Sequence, residues 1–250
     1  MAFTVVIPAR FGSSRFPGKP LADIQGKPMI QHVVERAEEA GASRIIVATD
    51  DARIASVAER FSQVCMTASD HQSGTERIAE VLTNEAISAQ HIVVNVQGDE
   101  PFIPAENIKQ VADNLAKAAD CMMATLCTPI ENSEDVFNPN MVKVVVNAHS
   151  EAMYFSRSAI PFERDRMMTS PNQADPSLYY RHIGIYAYRA QYVQRYVSYT
   201  PSALEHIESL EQLRALWYGD KIHCDIAAEE PPVGIDTPED LRRLLATLAS

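Results

Sequence analysis

The sequence predicts an α/β fold: an open, mostly parallel sheet flanked by helices, with a smaller β-rich lobe inserted in the second half. Three observations carry this. Short, continuously apolar runs recur through the first hundred residues, as in strands buried on both faces of a parallel sheet. Between them lie segments whose apolar residues repeat at helical spacing. In the second half the apolar runs continue, but irregular connections bearing prolines separate them. A chain of 250 residues with 46% hydrophobic content can bury a full core, as one large domain or one with an appended lobe.

Taken in order, Phe3 to Ile7 is an apolar run ending in Pro8. A loop leads to Lys27, and Pro28 suits the first turn of a helix whose Ile30, Val33, Val34 and Ala37 share a face before Gly41 stops it. Arg44 to Thr49 is a second strand, Ala52 to Phe61 a helix, and Gln63 to Met66 a third strand. Ser73-Gly74-Thr75-Glu76 has the S-x-x-E form of a capping box and opens a helix reaching about Ala86. His91 to Val96 is again an apolar strand, followed by Gln97-Gly98-Asp99-Glu100-Pro101. Strand and helix alternate throughout, so the sheet is Rossmann-like and its ligands belong at the carboxyl ends of the strands.

Beyond this point Met122 to Thr128, Val142 to Val146, Ala152 to Ser156 and Ile183 to Tyr188 read as strands. Asp165 to Ser177 is polar and aperiodic and holds Pro171 and Pro176, which predicts a mobile loop or excursion. The aromatic segment Tyr192 to Tyr199 reads equally as an interface element or as a packed amphipathic one. His206 to Tyr218 predicts one helix stopped by Gly219, and Lys221 to Ile226 a returning strand. Thr237-Pro238-Glu239-Asp240 supplies an N-cap, a first-turn proline and acids suited to the helix dipole.

The net charge of -11 opposes polyanionic partners, so neither nucleic acid nor membrane insertion is expected. Cys65, Cys121, Cys127 and Cys224 form no CxxC pair, which argues against zinc and for free thiols in a reducing compartment. The N-terminus has neither a basic leader nor a long apolar run, so a soluble, cytoplasmic protein is expected.

Against this acidic background, residues 1 to 22 hold no acid, although an even spread of 33 acids would put about three there. The stretch from Pro8 to Pro20 carries Arg10, Arg15 and Lys19 among glycines and serines. Backbone amides in such a loop can approach phosphate oxygens, and the three cations suit a triphosphate. Composition alone reads it equally as a solvated loop. A P-loop does not fit, because five residues separate Gly12 from Gly18 and Pro20 follows Lys19 where a hydroxyl is needed. The G-x-G-x-x-G fingerprint is absent from it.

The segment Pro8-Ala-Arg10 with Arg15-Phe-Pro-Gly-Lys19-Pro-Leu resembles the signature loop of the sugar nucleotidylyltransferases. Further blocks resemble those of the KDO (3-deoxy-manno-octulosonate) cytidylyltransferases in the same order: His71 to Arg77, Asn95 to Pro101, Phe155 to Pro161, Leu210 to Arg214 and Gly234 to Asp240. The similarity runs nearly end to end.

That resemblance implies CMP transfer from CTP to the anomeric hydroxyl of KDO, releasing pyrophosphate, for lipopolysaccharide synthesis. It implies Mg2+ held by Asp99 and Asp236; magnesium favours one or two carboxylates plus phosphate oxygens and water. Either aspartate alone reads better as a cap or turn residue; within the matched blocks they favour the metal. Glu100 reads as structural. The resemblance places Ser73, Gly74 and Arg77 near base and ribose. It gives the sugar side to Gln97, Arg157, His182, Tyr186, Glu211 and Gln212, with Arg157 suited to the sugar carboxylate. It also implies a homodimer, a nucleotide-binding part over 1–128, a sugar-binding and dimerisation lobe over 129–232, and a metal loop with a helix over 233–250. Rival readings are a cytidylyltransferase for another acidic sugar and a non-catalytic nucleotide-binding protein; a glycosyltransferase lacks its Asp-x-Asp at Gln97-Gly98-Asp99.

Overall fold

In the computed structural model, described over residues 2–12, 16–232 and 234–248, β1 (Phe3–Pro8) is buried along almost its whole length. Its side chains alternate between two cores, with Val5 and Ile7 facing one and Val6 the other. A 3-10 turn at Lys19–Leu21 and a small hairpin, β2 (Asp23–Ile24) with β3 (Lys27–Pro28), precede α1 (Met29–Glu39). Then follow β4 (Arg44–Thr49), α2 (Ala52–Ala58), β5 (Gln63–Met66), α3 (Gly74–Asn84) and β6 (Ile92–Asn95), in the order the sequence predicts.

Next comes α4 (Ala105–Lys117), a helix the sequence reading passed over. Its signal was present, since Ile108, Val111, Ala112 and Leu115 repeat at helical spacing and are all buried. The second half contains β7 (Met123–Pro129), α5 (Ser133–Val136), β8 (Lys143–Val146), β9 (Ala152–Ser156), α6 (Arg164–Met167) and β10 (Tyr180–Arg189). It closes with α7 (Ala190–Ser198), α8 (Ala203–Glu208), α9 (Leu213–Trp217), β11 (Ile222–Ile226) and α10 (Pro238–Leu248).

The main sheet has the order β11-β7-β10-β6-β1-β4-β5. β6, β1, β4 and β5 run parallel, as do β7 and β11. β10 lies antiparallel between β6 and β7, with Tyr186 opposite both Asn95 and Thr125. The β-rich part of the second half is the antiparallel pair β8 and β9, joined to this sheet through β10.

Two expectations change. The single helix from His206 to Tyr218 is two helices, because Ser209 adopts the left-handed conformation (φ 51°) and ends α8. Ser202 and Glu205 cap the start of α8 reciprocally, which fixes that helix three residues upstream of the predicted start. The stretch from Asp165 to Ser177 is an excursion, but a packed one. Met167 and Ala174 are buried with Tyr179, whose hydroxyl donates to Pro161 O at 2.9 Å. Glu163 accepts from Asp175 N at 2.8 Å and from Arg166 Nε at 2.7 Å. The segment Tyr192 to Tyr199 turns its aromatic face inward, with Tyr192 and Tyr196 buried. All four cysteines are buried and free. Among the described residues, no helix is long and apolar enough to cross a membrane.

Candidate active site

The site begins where β1 ends. Ala9 N donates to Ala48 O at 2.8 Å, which carries the chain across the carboxyl edge of the sheet. Gly18 N then returns to Phe11 O at 2.9 Å, closing the basic loop. Gly18 has φ 72° and a Cβ on it would stand 3.0 Å from the Phe11 ring, so a side chain there meets both backbone strain and an aromatic wall. On the ring's other contact, the Arg53 guanidinium lies 3.4 Å from its centroid.

The loop delivers Lys19 into the cleft. Its Nζ donates to Asp99 Oδ2 at 2.6 Å, to Ile235 O at 2.9 Å and to Asp236 Oδ1 at 3.5 Å. Asp99 follows β6 through Gly98, and a Cβ on Gly98 would stand 3.0 Å from Pro8 O. The absence of that atom lets the ends of β1 and β6 close on each other. Ile235 N donates to Asp99 O at 3.1 Å, so backbone ties the two aspartate-bearing segments together. Behind Asp236, Thr237 and Asp240 cap α10 reciprocally, at 2.8 Å from Thr237 N and 3.2 Å from Asp240 N.

The start of α3 forms the opposite wall. Ser73 accepts from Glu76 N at 3.2 Å, whereas Glu76 takes Gln72 N at 2.7 Å instead of completing the predicted box at Ser73. Arg77 is not a surface cation; it is 4% exposed, bonded to the Thr67 hydroxyl, and 3.4 Å from Asp50. Together these elements enclose a cleft of about 250 Å³ whose lining includes Arg10, Lys19, Ser73, Gly74, Arg77, Gln97, Asp99 and Asp236. Arg15 lies outside the described residues. Glu100 lines a separate small cavity with Pro231 and Gly234; burial, assisted by the charge of Asp99, pushes its carboxyl up to about 7.

A second cleft, of about 280 Å³, adjoins the first and shares Gln72, Ser73, Gly74 and Gln97 with it. Its far wall is Tyr186, Tyr188, Tyr196, Glu211 and Gln212, with Thr75 and Asn95 in the floor. The break at Ser209 is what turns Glu211 and Gln212 toward it. Burial raises the Glu211 carboxyl, opposed by the hydroxyls of Thr75 and Ser73.

Two expected sugar residues stand behind this cleft, outside its lining. His182 packs against Tyr186 at 5.5 Å and edge-on to Phe155 at 4.9 Å between ring centroids. Its Nε2 lies 3.0 Å from Thr125 Oγ1, which also reaches Ile183 O and Ile185 O at the bulge in β10. The hydroxyl's one proton goes to a carbonyl, so its lone pair accepts from Nε2–H and the tautomer follows. Burial pushes the imidazole down to about 3, leaving it neutral near pH 7. Arg157 donates to Glu208 O at 2.7 Å, Pro139 O at 2.9 Å and Ser209 O at 3.4 Å. In this arrangement its guanidinium bridges two turns and faces neither cleft.

The aspartates fit a hard divalent cation. Both carboxylates reach one ammonium, so they share one side of the cleft. Among the described residues, no cluster of three or more His, Cys, Asp or Glu could hold a metal by itself. A cation here would therefore complete its oxygens from phosphate and water, the manner of magnesium rather than of zinc.

The sequence reading missed Thr75, Asn95, Tyr188 and Tyr196. Two signals were available: Tyr188 follows Tyr186 at strand period, and Asn95 is a polar residue ending an apolar strand.

Residues 4–222 match the family model described as Cytidylyltransferase. The chain belongs to the cytidylyltransferase family. A curated relative from Alteromonas mediterranea, a 3-deoxy-manno-octulosonate cytidylyltransferase, is 75% identical over 99% of this chain and 100% of its own length. One of the same name from Aeromonas hydrophila is 60% identical, with 100% of both chains covered. Among solved structures, CMP:2-keto-3-deoxy-manno-octonic acid synthetase complexed with CTP superposes with a TM-score of 0.88 at 42% identity, covering 100% of this chain and 99% of that one. The paired clefts of this cytidylyltransferase thus sit in a fold shared end to end with a CTP-bound relative.

Proposed function

We propose that this cytidylyltransferase transfers CMP from CTP to the anomeric hydroxyl of KDO, releasing pyrophosphate, and that it requires magnesium. The observation that carries this is the junction of two unlike clefts at Ser73, Gly74 and Gln97, one lined with cations and carboxylates, the other with tyrosines and polar groups. Relatives at 75% and 60% identity bear the name of that activity.

The triphosphate lies in the first cleft, where Arg10 and Lys19, with Arg15 in the same loop, neutralise its charge. The amino end of α3 at Ser73 and Gly74 adds amides and a favourable dipole. Arg77, fixed by Asp50 and Thr67, faces the base and ribose. Asp99 and Asp236 hold magnesium, which supplies charge stabilisation at the α-phosphate when bound. The KDO hydroxyl reaches the α-phosphorus across the shared edge, and its new O–P bond forms as the bond to pyrophosphate breaks and its proton passes to water. Lys19 stabilises charge growing on the leaving group. Gln97 orients both substrates from the common edge, while Tyr186, Glu211 and Gln212 bind sugar hydroxyls. His182 acts through Tyr186, and Arg157 through the turn that precedes Glu211. No covalent intermediate with the enzyme is needed.

In this reading residues 1–128 bind nucleotide, 129–232 bind sugar and mediate dimerisation, and 233–250 complete the metal loop. The exposed Met153, Phe162 and Met168 supply apolar surface for a homodimer. A cytoplasmic location and a place in lipopolysaccharide synthesis complete the proposal. Pyrophosphate release from CTP, measured with and without KDO and magnesium, tests it. Release that ignores KDO rejects the acceptor, and full release in chelator rejects the metal.

A further inference from the structure

Asn95 ends β6 and is 3% exposed. Its side-chain amide has two ends. The Tyr188 hydroxyl interacts with the side chain, yet Asn95 Oδ1 has no hydrogen-bond partner. Buried polar atoms are nearly always paired, and one left unpaired calls for a reason. Two more unpaired atoms, Glu211 Oε1 and Gln212 Nε2, belong to residues that line the same second cleft. The set comprises two acceptors and one donor, all carried by residues that line a space of about 280 Å³. A phosphate or carboxylate only accepts and would leave both acceptors unmatched. Hydroxyl groups donate and accept, so a polyol matches all three. Asn95 also sits directly opposite Tyr186 in the antiparallel ladder, within the floor that the two tyrosines overhang.

We infer that Asn95 determines acceptor specificity, its Oδ1 accepting a hydrogen bond from one hydroxyl of the sugar. This rests on the KDO transfer proposed above. The competing role is a strut for Tyr188, and the two differ in what a leucine does. Leucine keeps the branched shape of asparagine, with more bulk, but removes the acceptor. As a strut, Asn95 would lose stability on replacement and keep its substrate preferences. Leucine also removes the partner of the Tyr188 hydroxyl, so stability can fall in either role, and the change in substrate preference is what separates them.

The experiment compares wild type with Asn95→Leu, using KDO and a panel of KDO analogues that each lack one hydroxyl. The readout is the ratio of kcat/KM for KDO to that for each analogue. A site built to bind a hydroxyl rejects the analogue lacking it, so wild type should disfavour at least one by about 10-fold or more. In the variant that ratio should fall at least about fivefold, with KM for CTP within about twofold of wild type. Ratios that all fall by less than fivefold overturn the inference. So does a KM for CTP that rises as much as the KM for KDO. Should the leucine variant fail to fold, Asn95→Ala, which removes both the bulk and the acceptor, gives the same readout under the same criteria. A wild type that does not turn over KDO at all rejects the proposed function itself, a result distinct from unchanged ratios.

Discussion

Lys19 Nζ stands 2.6 Å from Asp99 Oδ2 and within 3.5 Å of Asp236 Oδ1, joining residues 80 and 217 positions away in the chain. One ammonium thus gathers the ends of the first loop, β6 and the segment before α10. The geometry makes Lys19 the organiser of the two carboxylates, and the proposed function adds a phosphate contact to that role.

Replacing Lys19 with methionine should lower kcat at least about 100-fold, the usual cost of a lost transition-state charge contact. Stability should fall by no more than about 1 kcal/mol, because both carboxylates keep access to water. Asp99→Asn should likewise leave the urea midpoint nearly unchanged while removing most turnover. Near-normal activity of Asp99→Asn at saturating magnesium would contradict its assignment as a ligand.

Gly98→Ala puts a methyl 3.0 Å from the Pro8 carbonyl oxygen, a backbone atom in a buried strand. Separating β1 from β6 by a few tenths of an ångström should cost about 1–3 kcal/mol. It should also move Asp99, so kcat falls together with the denaturation midpoint. An alanine variant equal to wild type in both would show that the contact is slack.

Ser209 holds the left-handed turn between α8 and α9. A β-branched residue disfavours that conformation, so Ser209→Val should destabilise by about 1–2 kcal/mol. Because the turn presents Glu211 and Gln212, KM for KDO should rise while KM for CTP stays constant. Steady-state kinetics with each substrate varied in turn separates the two.

His182 links stability to pH. Its imidazole has an ordinary value of 6.5 when unfolded and is pushed down to about 3 in the fold by burial. The stabilisation that follows is complete above pH 6.5 and is lost as pH falls from there toward 3, because the unfolded chain takes up the proton first. Between pH 7 and pH 5 the loss reaches about 2 kcal/mol. Chemical denaturation of wild type and His182→Gln at both pH values should show the difference between them shrinking by up to that amount. Parallel curves would place the imidazole in contact with water.

The first half of the fold was legible because its strands are apolar runs and its helices show a clear period. Asp99 and Asp236 were picked out for a different reason: each stands within a matched block. The break at Ser209 was not, since nothing in Glu208-Ser209-Leu210 marks a left-handed residue, and local propensity favours an unbroken helix. Nor was the placement of Arg157 and His182 behind the second cleft visible. A motif fixes which residues recur together, whereas a bulge in β10 and a carbonyl-lined turn decide which way their side chains point.

The antiparallel insertion of β10 has a consequence for how the molecule assembles. β6, β1, β4 and β5 are all synthesised by residue 95, and nothing later is needed to pair them. Among the described residues β7 pairs with β10 and β11 alone, so it must wait for a strand completed at Arg189 before it joins them. Long sequence separations of this kind slow the search for native pairing. The strands that lead to Arg10 and Asp99 are therefore free to pair early, on the growing chain, while the tyrosine wall waits for β10 and the contacts of Lys19 with Ile235 and Asp236 wait for the segment made last.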